Sequence, residues 1–238
     1  MQINQDNISR HCTEMELIGE LLELDGRQIV ELGCGRAEIT RQLATGGPGR
    51  TLLATEVDTI QHEKHRQIDD LPNVRFELAG AEAIPAADAS ADVVFMFKSL
   101  HHVPSELMDT AFAEIARVLK PGGLAWISEP VFAGDFNEIL RLFHDEQAVR
   151  QAAFDATKRA VDKGLLNLEQ EFFFNSPMHF ADFADFEAKI LGVTHTDHRL
   201  SDALHATVRQ RFMAHMGPEG ARFTMPIRID LLRKAKHP

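Results

Sequence analysis

The sequence predicts an α/β protein built on a doubly wound, mostly parallel sheet, and three observations carry that prediction. Strand-like apolar runs alternate with amphipathic helical stretches from residue 13 to 130. Val93 to Phe97 is apolar at every position, as suits a strand buried on both faces. Ile29 to Thr40 reads as a buried strand that turns through Gly33 and Gly35 into a helix.

The elements follow in order. Met15, Ile18, Leu21 and Leu22 recur at helical steps between Glu14, Glu16, Glu20 and Glu23, so Thr13–Leu24 is an amphipathic helix ended by Asp25-Gly26. The organising strand and its helix (37–45) come next, and Gly46-Gly47-Pro48-Gly49 breaks the chain before a second strand, Thr51–Val57. A polar helical stretch near Ile60–Ile68 precedes a short strand at Val74–Leu78. The fourth strand is Asp92–Phe97. Ser105 is then placed to cap a helix whose face is Met108, Ala111, Phe112, Ile115 and Leu119. Pro121-Gly122-Gly123 stops that helix, and Leu124–Ser128 is the fifth strand.

From 131 to about 190 the alternation gives way to a helical insertion rich in phenylalanine: Phe172-Phe173-Phe174, Phe180, Phe183 and Phe186. Such residues are more often core than pocket. Ser201–Met216 reads as a helix and Arg222–Leu231 as a closing strand, with Pro226 marking an edge or a bulge.

A formal net charge of −11 argues against nucleic acid or an anionic membrane as the main partner. Two cysteines, Cys12 and Cys34, are too few for a disulfide framework or a zinc site. The N-terminus has no leader pattern, and no run approaches the ~18 apolar residues of a span. A cytoplasmic protein is expected.

Parallel α/β sheets bind ligands beyond the carboxyl ends of their strands. Glu31, Gly33, Gly35, Glu56, Ala81, Glu82, Lys98, His101 and Glu129 all fall at or just past such ends. A glycine turn with an acid some twenty residues on suits two cofactor classes. A dinucleotide fingerprint needs a third glycine at position 38, where Glu38 stands instead, a carboxylate close to where a pyrophosphate would sit. A cationic cofactor without phosphate turns Glu31, inside the turn, into an asset.

In these motifs the chain resembles the class I S-adenosylmethionine-dependent methyltransferases, of the small-molecule type related to the quinone-biosynthesis C-methyltransferases. The resemblance runs from about Gln28 to Pro130 and rests on Glu31-Leu32-Gly33-Cys34-Gly35, on Ala79-Gly80-Ala81-Glu82-Ala83-Ile84-Pro85, on Leu100-His101-His102-Val103, and on Arg117 to Gly123. It implies a Rossmann-like, seven-stranded sheet with the helical insertion after strand five. It further implies a seat for S-adenosylmethionine made by Glu31, Gly33, Cys34, Gly35, Glu56, Val57, Ala81, Glu82, Phe97 and Lys98. Glu31 would lie near the methionine amino group, and Glu56 would accept from both ribose hydroxyls, with Asp58 as its competitor. Two positions depart from the pattern: Ala37 stands where a third glycine is usual, and Gly80 where an aspartate commonly meets adenine, a contact that Glu82 would then supply.

The expected organisation is one domain: a cofactor-binding core at 13–130, the insertion at 131–190 as a substrate cap, and closing strands and helix at 191–238. Methyl transfer is an in-line displacement that mainly requires alignment and exclusion of water. A base is needed only for a protonated acceptor, and His101, His102 and Glu129 are the candidates, with His11 a further one. Lys98 is odd beside a cationic cofactor unless Glu31 or Glu129 screens it, or unless it meets an anionic acceptor. His195-Thr196-Asp197-His198 and His144-Asp145-Glu146 offer no complete ligand set in their local spacing, so no metal is expected. The product would be S-adenosylhomocysteine and the acceptor a small molecule. The alternative is a non-catalytic S-adenosylmethionine-binding sensor or partner subunit, and a dehydrogenase ranks third.

Overall fold

In the computed structural model, which describes residues 1–194, 196 and 198–236, alternation decides which face each strand residue occupies. The strands are β1 (Gln28–Leu32), β2 (Thr51–Glu56), β3 (Val74–Leu78), β4 (Ala91–Phe97), β5 (Leu119–Pro130), β6 (Asn167–Phe180), β7 (Met216–Gly217) and β8 (Gly220–Arg233). The helices are α1 (Glu14–Leu21), α2 (Glu38–Thr45), α3 (Thr59–His65), α4 (Met108–Val118), α5 (Asp135–Leu140), α6 (Gln147–Asp162), α7 (Phe183–Phe186) and α8 (Asp202–Met213).

Seven strands lie in the order β3-β2-β1-β4-β5-β8-β6, and the two-residue β7 adds to β8. β1 to β5 are parallel, and β8 runs antiparallel to both β5 and β6. This is the expected doubly wound, mostly parallel sheet. Successive side chains point to opposite faces. Ile29, Leu52, Val93, Phe95 and Trp126 therefore pack with Leu17 and Ile18 of α1 and Leu43 of α2. Val30, Leu53, Val94, Met96 and Ile127 pack on the other face with Phe112 and Ile115 of α4 and Ala153 and Ala156 of α6. The strand order reverses between β1 and β4, so a crevice opens beyond their carboxyl ends.

Four details differ from the sequence reading, the first being that Leu119, read on the face of the helix after β4, opens β5 instead. α4 begins at Met108, because Leu107 N–H closes a turn onto Pro104 O at 2.8 Å, which leaves Ser105 exposed and outside the cap. Residues 167–180, read as part of a helical insertion, are a strand; Glu169, Glu171 and Pro177 obscured it. They are tolerated because β6 is an edge strand, pairing only with β8 along its length while Arg10 and Cys12 touch its far side at Asn175. β8 is an interior strand, yet Pro226 sits where its pairing with β5 runs out, one residue beyond the Pro130–Ile227 pair, so the missing N–H costs the ladder nothing there.

The phenylalanines form core. Phe136, Phe180, Phe183, Phe186, Phe212 and Phe223 make a separate apolar cluster between α5, α7, α8 and the ends of β6 and β8, and Phe174 is buried under the sheet. Among the described residues, no helix is long and apolar enough to cross a membrane.

Candidate functional site

The turn after β1 is held from three sides. Gly33 and Cys34 both donate to Thr55 O at 2.9 Å, Ser99 Oγ donates to Leu32 O at 2.7 Å, and His65 Nε2 meets Gly35 O at 2.7 Å while its ring stacks on Phe76. A Cβ at Gly33 would lie 2.7 Å from Ser99 Cβ, so only glycine fits there. Ala37 is the N-cap of α2 at φ 60°, a left-handed conformation that glycine adopts without cost. That explains the sequence departure: the backbone requirement stands, and alanine is the smallest side chain that meets it.

Beyond this turn lies a cavity of about 670 Å³. Gly33, Gly35, Glu56, Val57, Ala81, Glu82, Phe97 and Lys98 line it, as does His102. Glu31 and Cys34 line a smaller adjoining cavity that shares Gly33, Gly35, Arg36 and Phe97 with the first. Arg36, Val103, Pro104, Leu107, Lys189, Val193, Thr194 and Thr196 complete the large cavity's walls, and sequence reasoning singled out none of them for that role. The signal for Arg36 was present, since it sits between the turn's glycine and the helix.

Glu31 is the most strained charge of the site. It is 2% exposed, its Oε2 has no hydrogen-bond partner among the described residues, and burial pushes its carboxyl up to about 8. Glu56 behaves differently: Oε2 accepts from Gly35 N at 2.7 Å, and Oε1 from Val57 N and Asp58 N at 2.8 and 2.9 Å. Three of a carboxylate's roughly four acceptor sites are thus taken by backbone, leaving about one for a ligand hydroxyl. Asp58 lines the cavity but serves as N-cap of α3, accepting from Ile60 N and Gln61 N. Its other oxygen accepts from Thr194 Oγ1, to which Gln61 Nε2 also donates at 2.7 Å, so the segment 189–194 is tied to α3 beside the cavity.

Gly80 leaves room that Glu82 uses. A Cβ at position 80 would lie 2.3 Å from both Glu82 carboxylate oxygens, so that carboxylate occupies the space beside the glycine. The direct partner of Lys98 is Glu14 of α1, which accepts from Lys98 Nζ at 3.1 Å and from Trp126 Nε1 at 2.9 Å, while the Lys98 charge also reaches Glu31.

Of the three candidate bases only His102 reaches the cavity. His101 is buried behind it with Nδ1 2.5 Å from Glu129 Oε2 and Nε2 3.4 Å from Glu146 Oε1. Burial alone would lower its imidazole, but the two carboxylates overcome this and raise it to about 9. With both nitrogens donating, His101 has no lone pair for a base. Glu129 also accepts from Leu100 N and His101 N, so it fixes the turn that follows β4. His11 lies against Asn175 on the β6 edge, away from the cavity. Of the His195–His198 cluster, His195 and Asp197 lie outside the described residues.

Residues 29–123 match a family described as a methyltransferase domain. The chain is 34% identical over 112 residues to the 27-O-demethylrifamycin SV methyltransferase of Amycolatopsis mediterranei, a match covering 45% of this chain and 40% of that protein. It is 31% identical over 125 residues to the ubiquinone/menaquinone biosynthesis C-methyltransferase UbiE of Shewanella pealeana, covering 50% and 48%. The chain thus spans about half the length of the curated relatives it matches. The YcgJ protein of Bacillus subtilis shares the fold, with a TM-score of 0.58 at 17% identity over 93% of this chain and 97% of that one.

Proposed function

From a methyltransferase domain at residues 29–123, we infer that this chain transfers a methyl group from S-adenosylmethionine to a small-molecule acceptor. The observation that carries the reading is Glu31, a buried carboxylate with one oxygen lacking a partner, at the edge of a glycine turn and a cavity. A buried acid that its neighbours Thr40 and Lys98 offset only in part suits a cationic ligand group. S-adenosylmethionine, when bound, supplies an electrophilic methyl on a sulfonium sulfur, transferred by in-line displacement.

This chain's residues would do the rest. Glu31 takes the methionine ammonium, the Gly33–Gly35 backbone lies against the cofactor, and the remaining acceptor site of Glu56 takes a ribose hydroxyl. Glu82, in the space beside Gly80, supplies the adenine contact. Val57, 67% exposed on the cavity wall, is a surface that a ligand's apolar face would cover. The acceptor lies against Val103, Pro104 and Leu107, with His102 as the group able to take a proton, and His101 and Glu129 position the turn that carries it. Within 131–190 only Lys189 lines the cavity, so the cap over the acceptor is assigned to 189–194.

Calorimetric titration with S-adenosylmethionine tests this, followed by a methyl-transfer screen against phenols, quinols, thiols and amines. Glu31→Ala should weaken binding about 10–100-fold, as expected for a charge-assisted hydrogen bond worth ~1.5–3 kcal/mol. Unchanged affinity in both Glu31→Ala and Glu56→Ala would refute the site. Tight binding without turnover on any acceptor would favour a sensor.

A further inference from the structure

Residues far apart in sequence converge beside the cavity, with His102 on its wall and His101 and Glu146 buried behind it. His101 and His102 end the 3-10 turn Leu100–His102 after β4, and Glu146 immediately precedes α6. Their ligand-capable atoms all lie within 4.8 Å of one another, with the two imidazole rings 4.1 Å apart between centroids. His101 Nε2 and Glu146 Oε1 are 3.4 Å apart, which is about the ligand–ligand separation around a tetrahedral ion with bonds of about 2.0–2.1 Å.

The surroundings orient these groups as a metal site requires. Glu129 holds Nδ1 of His101, which aims Nε2 at Glu146, the carboxylate–histidine arrangement that supports metal-bound imidazoles. Arg150 fixes Glu146 Oε2 at 2.6 Å, leaving Oε1 toward the histidines, and His144 Nε2 approaches Oε1 at 3.0 Å. His101 and Glu146 are buried, whereas His102 is exposed on the cavity wall. Two imidazoles and one carboxylate, with a position open to a ligand pocket, is a donor set for zinc or iron(II) at a catalytic rather than a structural site.

We propose that His101, His102 and Glu146 bind a divalent ion of the zinc or iron(II) type, which displaces to solvent the proton that His101 Nε2 otherwise gives to Glu146, and whose open position faces the cavity and takes an oxygen of the acceptor. The second half rests on the methyltransferase reading above, with the ion in place of His102 as the group that activates the acceptor, and narrows the acceptor to a hydroxyl or enol. On coordination the acceptor's O–H bond breaks, an oxygen–metal bond forms, the oxygen keeps both electrons, and the proton passes to water in the cavity. Local spacing weighed Glu146 only with His144 and Asp145, whereas the fold brings it from the segment after β5 to His101 and His102.

The test is calorimetry on the chelator-treated full chain, with Zn²⁺ in air and Fe²⁺ without oxygen, and visible absorption of the Co²⁺ form. One ion should bind per chain, with d–d bands of nitrogen and oxygen coordination. Glu129→Gln, which keeps the acceptor for Leu100 N, should weaken binding about 10–100-fold, and His102→Ala, losing a ligand outright, by about 100-fold or more. No ion bound at millimolar Zn²⁺, or equal affinity in His102→Ala, would overturn the proposal and leave His101 as a proton-bridged structural group. S-adenosylmethionine is titrated in parallel. Its binding without ion binding refutes the metal site alone, and ion binding lost in His102→Ala upholds the site even if the cofactor fails to bind.

Discussion

Ala37 and Glu31 each carry a local cost that the turn imposes. Ala37, buried at φ 60°, trades left-handed strain against a packed methyl and a less flexible unfolded chain. These terms are each about 1 kcal/mol, so Ala37→Gly should change stability by less than about 1 kcal/mol in urea denaturation. Ala37→Val adds β-branching at positive φ and should cost about 2 kcal/mol or more. Glu31 predicts a pH effect. Its folded value, about 8, lies above the ordinary 4.5, so its contribution to stability is intact below about pH 4.5 and is lost as pH rises through about 8. Thermal melts of the cofactor-free protein should therefore fall between those limits, with a shallower fall in Glu31→Gln.

At the scale of elements, the strap at 189–194 is joined to α3 by Thr194, which bonds both Asp58 and Gln61. Two hydrogen bonds are worth about 1–3 kcal/mol, so Thr194→Val should speed cofactor release about tenfold in stopped-flow without changing the melting temperature greatly. This strap was not legible beforehand. Val193 and Thr194 carry no periodicity, and their role comes from where the chain falls after α7. The strands of the core were legible because Val93 to Phe97, and Ile29, Val30 and Leu32, must be apolar to lie under two helical layers. β6 was obscured by its own exposure, since an edge strand is free to carry Glu169, Glu171 and Pro177.

For the whole molecule, the division is between contacts local in sequence and contacts made by topology. The turn from Glu31 to Ala37 and the acid at Glu56 could be read because one strand-to-helix connection and the next strand end contain them. Lys98 looked anomalous because its partner, Glu14, arrives from a helix 84 positions away. His101 looked like a base because Glu146 arrives from beyond β5, and the same convergence joins Glu146, which local spacing had set aside, to two histidines read as candidate bases.

The central claim is that Glu31 waits, protonated, for a cationic cofactor. Calorimetry of S-adenosylmethionine binding at neutral pH, in buffers of differing ionisation enthalpy, measures the protons exchanged. Binding of one cofactor with net release of a proton, abolished in Glu31→Gln, is the predicted result. No binding, or binding with the same proton count in wild type and Glu31→Gln, would contradict it.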